Sequence, residues 1–399
     1  MSLATRAVRG ATWTVGSSIT GRAIGVAGTL ALTHFLAPDV VGEVSAASIL
    51  IISANQLSTL GLGQYIVAKP HAGAARVFHA AFLYLCAGAL ALATILLFAG
   101  AFAPLLSAPD LGRYTPGLVG AVTLDRIALI PERVLLREMR FGEVAATRTA
   151  AEIAYSVTSV ALAAAGFGGF AIVLGNIARS ALRCATILTI APRRAWLSPT
   201  RLRKTHFRPL LAFGIPISIG ASLNYASRKW DNLLMAALFG PAQMGLYNLA
   251  YNLADIPASQ VGEHIGDVLL PSFAHMGEDA RKNALARSAA MLALVVFPLA
   301  TGLAAVAHTL VATLFGAAWQ GLAPYLVILS SLSVVRPVGW LIQSYLQAED
   351  APRAVMVLEA GKVAALITAI CLLGLVSPLF AAAGAGIAFT LHAVASLWV

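Results

Sequence analysis

The chain has 399 residues, 59% of them hydrophobic and only 11% charged. Soluble domains carry roughly 25% charged residues, so this chain lacks the polar groups needed to cover a water-facing surface, and its composition equally excludes disorder. The net charge is +10, from 27 Lys+Arg against 17 Asp+Glu, and where those charges fall matters more than their sum.

Apolar stretches recur from end to end at about 20 residues, the helical length that spans roughly 30 Å of hydrocarbon. They predict twelve spans, at 10–36, 41–67, 77–103, 117–136, 145–165, 169–191, 209–239, 242–268, 285–314, 321–346, 354–376 and 379–399. Breaks fall at Pro38, Pro70, Pro104, the glycine-rich run 166–169, Pro192, Pro241, Pro271, Gly316, Pro352 and Pro378. Backbone in lipid must satisfy its own hydrogen bonds, and the runs show no barrel-like alternation, so the spans are helices. The first is too long for a cleaved signal peptide and reads as a mature helix. The expected fold class is an all-α polytopic membrane protein.

Cations sort by side. Alternate loops hold 17 Lys/Arg on one side and Arg113 alone on the other. The positive-inside rule then puts the N-terminus in the cytoplasm. The longest polar segment, 193–208, carries six cations and divides the spans six and six. It reads as a topology determinant and hinge, or as a contact for anionic lipid headgroups. The expected division is 1–192, a basic cytoplasmic linker 193–208, and 209–399.

A short repeat supports the division. Pro38 and Gly42, between spans one and two, recur at an offset of 203 residues as Pro241 and Gly245, between spans seven and eight. Proline opens a tight turn and glycine allows close helix approach. Both halves begin inside and hold six spans, so they are expected to form two pseudo-symmetric six-helix lobes related by an axis along the membrane normal, an arrangement transporters use.

Nine cations fall inside the spans: Arg22, Arg126, Arg148, Arg179, Arg183, Arg228, Lys229, Arg336 and Lys362. A cation at mid-bilayer costs at least about 2.5 kcal/mol, so such residues face a bundle interior or wet cavity. Arg148 is spaced to pair with Glu152 (i,i+4), Lys362 with Glu359 (i,i+3), and Asp231 with Arg228 (i,i+3). The other cations lack an evident partner on their own helix. The spans hold only five acids: Asp125, Glu152, Asp231, Asp255 and Glu359. Excess cations select an anion, and guanidinium matches phosphate in bidentate geometry. We therefore expect one polar central chamber, with Arg22, Arg126, Arg179, Arg183, Arg228, Lys229, Arg336 and Asn224 as its anion-binding residues. Asp231, Asp255 and Glu359 are the candidate proton or sodium sites.

Other chemistry finds no support in the sequence. Cys86, Cys184 and Cys371 lie far apart in apolar runs and read as small buried hydrophobes. The eight histidines show no metal spacing, and no phosphate-binding loop motif occurs. No catalytic residue, metal or cofactor is expected, the chain reads as a non-enzyme, and no compact basic domain suggests nucleic acid.

Several short motifs carry a family resemblance. They are Ala11-Thr12-Trp13, Leu36-Ala37-Pro38 to Gly42, Leu60-Gly61-Leu62-Gly63, Asp231-Asn232, Phe239-Gly240-Pro241 to Tyr247, and Leu249-Ala250. With the span layout they make the chain resemble the polysaccharide transporter family. These are the Wzx-like O-antigen flippases of the multidrug/oligosaccharidyl-lipid/polysaccharide (MOP) exporter superfamily. The resemblance implies alternating access in a bacterial inner membrane, export of undecaprenyl-diphosphate-linked oligosaccharide for polysaccharide assembly, and polymerase or assembly proteins as partners. It also implies that lumen arginines hold the anionic part of the substrate. A cation-coupled multidrug exporter and a peptidoglycan lipid-precursor flippase are the rival readings. Many relatives have up to fourteen spans, and this chain stops inside an apolar run. It reads either as a twelve-span member or as a shortened chain.

Overall fold

The computed structural model describes residues 20–21, 23–69, 73–274, 278–336, 339, 341–342, 345–346 and 352–397; at 204, 257–274, 278–279, 281, 333, 352–353 and 397 it describes backbone alone. Arg22 lies outside the described residues. Among these the ordered elements are helical: α1 (Ala23–Leu32), α2 (Pro38–Leu57), α3 (Leu62–Ala68), α4 (Ala74–Leu105), α5 (Leu111–Arg137), α6 (Phe141–Ala164), α7 (Gly169–Ile190), α8 (Arg193–Trp196), α9 (Lys204–Ala274), α10 (Glu278–Leu314), α11 (Leu322–Ser333), α12 (Pro352–Gly374) and α13 (Pro378–Leu397). Seven of the described helices are both long and apolar enough to cross a bilayer. The chain is a multi-pass membrane protein. Its exposed large residues, such as Leu97, Leu294 and Leu375, suit acyl chains rather than water.

Two helix boundaries depart from the sequence reading, each for a local reason. The expected second span breaks into α2 and α3, because Leu60 (φ 49°) and Gly61 (φ 59°) turn left-handed. Gly61 and Gly214 lie backbone to backbone, too close for a Cβ on either. The break expected between the seventh and eighth spans is present: α9 leaves helical geometry at Gly240 (φ 82°), and Pro241 starts the second of its two helices. Pro271 does not end a helix, since α9 continues to Ala274. The cysteine reading also needs correction. Only Cys184 is buried, while Cys86 is exposed and Cys371 half-buried, because the outer face of a membrane helix is apolar too.

Packing divides the chain into two compact units: residues 1–36 with 43–222, and residues 37–42 with 223–399. Residues 209–222, read from sequence as the start of the second half, pack with the first unit through Gly214 and through Ser218, whose Oγ lies 3.3 Å from the Thr59 hydroxyl. The basic linker is docked on this unit as well. Trp196 packs beside Leu188 and Ile190, and the backbone N–H of Arg203 donates to Nε2 of the buried His79 at 3.1 Å. The His79 Nδ1 lies 2.6 Å from the Ala75 carbonyl, which makes Nδ1 the protonated nitrogen.

In the second unit, the repeated turns meet each other. A Cβ on Gly42 would fall on the Pro241 carbonyl, and one on Gly245 on the Pro38 carbonyl. These two close approaches explain why both turns carry glycine four residues after proline.

Candidate functional site: two charged cavities

Each unit contains its own polar cavity. In the first unit, α2, α4, α5 and α7 enclose about 280 Å³, lined by Asn55, Tyr84, Asp125, Arg126, Asn176, Arg179, Ser180 and Arg183 among apolar neighbours. Three guanidiniums face a single carboxylate there. Their availability differs sharply.

Arg126 is 2% exposed and held through both terminal nitrogens, although no carboxylate touches it and, among the described residues, its Nε is buried without a partner. Its Nη1 donates to the Asn55 side-chain oxygen and to the Ser58 hydroxyl (2.9 Å), and its Nη2 to the carbonyls of Ser58 (3.2 Å) and Tyr84 (2.5 Å). The Tyr84 ring centroid lies 4.0 Å from its guanidinium carbon. The break after α2 frees the last carbonyls of that helix, and Arg126 caps them. Gly88 makes this possible, because a Cβ there would overlap the guanidinium. Arg126 therefore holds the broken helix in place.

Arg183 is locked by two acids, at 2.8 Å from Asp125 and 2.7 Å from Glu132. Asp125 also accepts from Ser180 at 2.9 Å. Glu132, 1% exposed, in turn holds Arg148 at 2.5 Å. This corrects two readings. Arg148 does not pair with Glu152 on its own helix, and Arg183 is not partnerless. A carboxylate this deeply buried needs cations on both oxygens, and α6 and α7 each supply one. Glu152 instead faces Arg179 across helices at 3.5 Å.

Arg179 remains the most available cation of the cavity. Its side chain is 34% exposed, its Nη2 donates to Asn176 at 2.7 Å, and its guanidinium lies 5.3 Å from the Tyr155 ring centroid. Asn176, whose Nδ2 donates to the Ile172 carbonyl at 2.8 Å, orients the Arg179 guanidinium on one face of α7.

In the second unit, α9, α12, α13 and residues around 336 enclose about 100 Å³. Asn224, Arg228, Lys229, Asp255, Arg336, Glu359, Lys362 and His392 line it together with Tyr251 and Phe389. Arg336 pairs with Asp255 at 2.8 Å and sits between the rings of Tyr251 (4.2 Å) and Phe389 (4.6 Å). The sequence had given it no partner, because Asp255 lies 81 residues away. The expected Glu359–Lys362 pair is present at 2.7 Å, with His392 3.8 Å from the same carboxylate. Lys229 donates to Asn252 at 3.2 Å. Asp231 is fully buried outside the cavity lining, held by the Tyr247 hydroxyl at 2.7 Å and by both nitrogens of Asn232 at 2.8 Å. A chain of amides, Asn232–Asn248–Asn252, links that carboxylate to Lys229.

The structure thus gathers Arg126, Arg179 and Arg183 in one cavity, and Asn224, Arg228, Lys229, Arg336, Asp255 and Glu359 in another. Sequence reasoning missed Glu132, Asn55, Asn176, Tyr251 and His392. Of these only Glu132 carried a signal, as an acid near the end of a predicted span.

Comparison with known proteins gives this arrangement a family. Residues 31–324 match the family described as polysaccharide biosynthesis protein. The chain belongs to this family. A similar sequence is the lipopolysaccharide biosynthesis protein WzxC of Escherichia coli K12, 23% identical over 88% of this chain and 71% of its own length. Another is the succinoglycan biosynthesis transport protein ExoT of Rhizobium meliloti, 25% identical over 78% of this chain and 63% of its own. Among solved structures, the lipid II flippase MurJ in an inward closed conformation superposes with a TM-score of 0.79 at 12% identity, covering 96% of this chain and 86% of that one. An inward-facing multidrug resistance MATE transporter of the MOP superfamily gives 0.73 at 14% identity, covering 95% and 96%. This polysaccharide biosynthesis family member has the MOP exporter fold, as the resemblance implied.

Proposed function

We propose that the chain flips an undecaprenyl-diphosphate-linked oligosaccharide across the bacterial inner membrane by alternating access between two six-helix lobes. Family membership supports the cargo class. The observation that carries the reading is the cavity of the first unit, where Arg179, oriented by Asn176, offers donors that no carboxylate fully occupies. A sugar diphosphate cannot cross hydrocarbon unaided, and a guanidinium in a cavity compensates its charge and matches its oxygen geometry. The role is binding and passage, without covalent chemistry or a cofactor.

The excess of basic residues in alternate loops supports a cytoplasmic N-terminus. The docked linker, with six cations beside Trp196 and Leu197, supports contact with anionic headgroups. Asp231, Asp255 and Glu359 are the coupling candidates. Asp231 is favoured, because Asp255 and Glu359 already hold Arg336 and Lys362 while its own partners are neutral. Polysaccharide polymerase and assembly proteins are the partners such a flippase would supply.

The test is replacement of the host's own flippase by this chain in a strain that makes the matching glycan. Arg179→Gln should cut surface polysaccharide about 10-fold or more at unchanged membrane abundance. Normal export by that variant would remove the basis of the assignment.

A further inference from the structure

Another guanidinium of the first unit, Arg133, lies outside the cavity lining. Arg133 sits on α5 one turn before the helix ends at Arg137, half-buried against α3. Among the described residues no hydrogen bond or ion pair reaches it, and its Nε is buried without a partner. Gly63 lies so close that a Cβ there would come within 3.3 Å of Nε and 3.4 Å of the Leu129 side chain. Glu132, next to it in the chain, attracts it only through space, because Arg148 and Arg183 take both carboxylate oxygens. Asp125 is likewise held by Arg183.

Among the described residues the local charge does not cancel. Arg133, Arg148 and Arg183 stand against Glu132 and Asp125, which leaves one positive charge over. Burying a charge without a partner is costly, and the cost persists only if something offsets it. Arg148 is 52% exposed and engages Glu132 through Nη2 alone, so its remaining donors are free to turn towards a ligand. Two guanidiniums around one uncompensated charge fit a phosphate group, which accepts several charge-assisted hydrogen bonds at once.

We propose that Arg133, with Arg148 beside it, forms a binding site for a phosphate-bearing anion at the end of α5, separate from the proposed cargo cavity. The phosphate belongs either to a membrane lipid headgroup or to a soluble phosphate. Gly63 is the small floor that gives the guanidinium its room.

The test uses the purified full-length chain in a phosphate-free detergent, in an Arg179→Gln background, so that the cargo cavity does not contribute and the outcome is independent of its assignment. Thermal unfolding is followed while dioctanoyl phosphatidylglycerol or inorganic phosphate is added, against dioctanoyl phosphatidylcholine and sodium chloride at equal ionic strength. Near ten times the dissociation constant, the site should raise Tm by roughly 2 °C or more. A rise with phosphatidylglycerol alone assigns the headgroup, and a rise with both probes assigns phosphate in general. Arg133→Gln should raise the ligand-free Tm, since it removes a half-buried charge without an ion-pair partner among the described residues, and should abolish the rise on addition. Arg133→Lys should keep a smaller rise. No rise with either probe, or an equal rise in Arg133→Gln, overturns the proposal.

Discussion

The two cavities use similar residues to opposite ends. In the first unit, Arg126 and Arg183 are consumed by structure, one capping a broken helix and the other bridging two acids, while Arg179 keeps donors for a visitor. In the second, the smaller cavity is closed around its own ion pairs, Arg336 with Asp255 and Lys362 with Glu359. The lesson is that a count of intramembrane cations overstates the number available to cargo. Availability depends on what each guanidinium already touches.

The comparison can be broken first at Glu132. Glu132→Gln leaves Arg183 and Arg148 short of charge in the first unit, and should destabilise the chain by about 3 kcal/mol or more, seen as lower Tm and lower membrane abundance. Arg179→Gln should act the other way round. Stability should hold while export falls about 10-fold or more, the worth of a charge-assisted hydrogen bond, measured as surface polysaccharide per unit of membrane protein. Gly88→Ala should displace Arg126 from the end of α2 and cost about 1–3 kcal/mol as an overpacking strain, read from thermal unfolding. In the second unit, Arg336→Lys keeps a charge for Asp255 but gives up the flat stack on Tyr251 and Phe389, a loss of about 1 kcal/mol. The smallest change should come from Glu359→Gln with Lys362→Met. Removing both members of a buried pair is expected to be near neutral for stability, whereas Lys362→Met alone should destabilise, and the difference is readable in the same unfolding assay.

Much of the fold was legible because its signals are local. Apolar run length gave the membrane class, Gly240 and Pro241 marked the reversal within α9, and the Pro38/Gly42 and Pro241/Gly245 turns announced their kinship by spacing. The break at Leu60 and Gly61 was hidden inside an apolar run, since it depends on backbone packing against Gly214. The site was less legible. Same-helix spacing revealed Glu359–Lys362 but misdirected Arg148 to Glu152, because cross-helix partners such as Glu132 leave no periodicity. Arg126 looked free for a related reason: its partners are mostly carbonyls and neutral side chains, which a search for acids cannot find.

The central claim is that Arg179 carries the anionic headgroup, and the most direct measurement is of the headgroup itself. Cells relying on the Arg179→Gln chain should accumulate undecaprenyl-diphosphate-linked oligosaccharide on the cytoplasmic leaflet, at normal membrane abundance of the variant. Wild-type levels of that lipid, with surface glycan undiminished, would contradict the account.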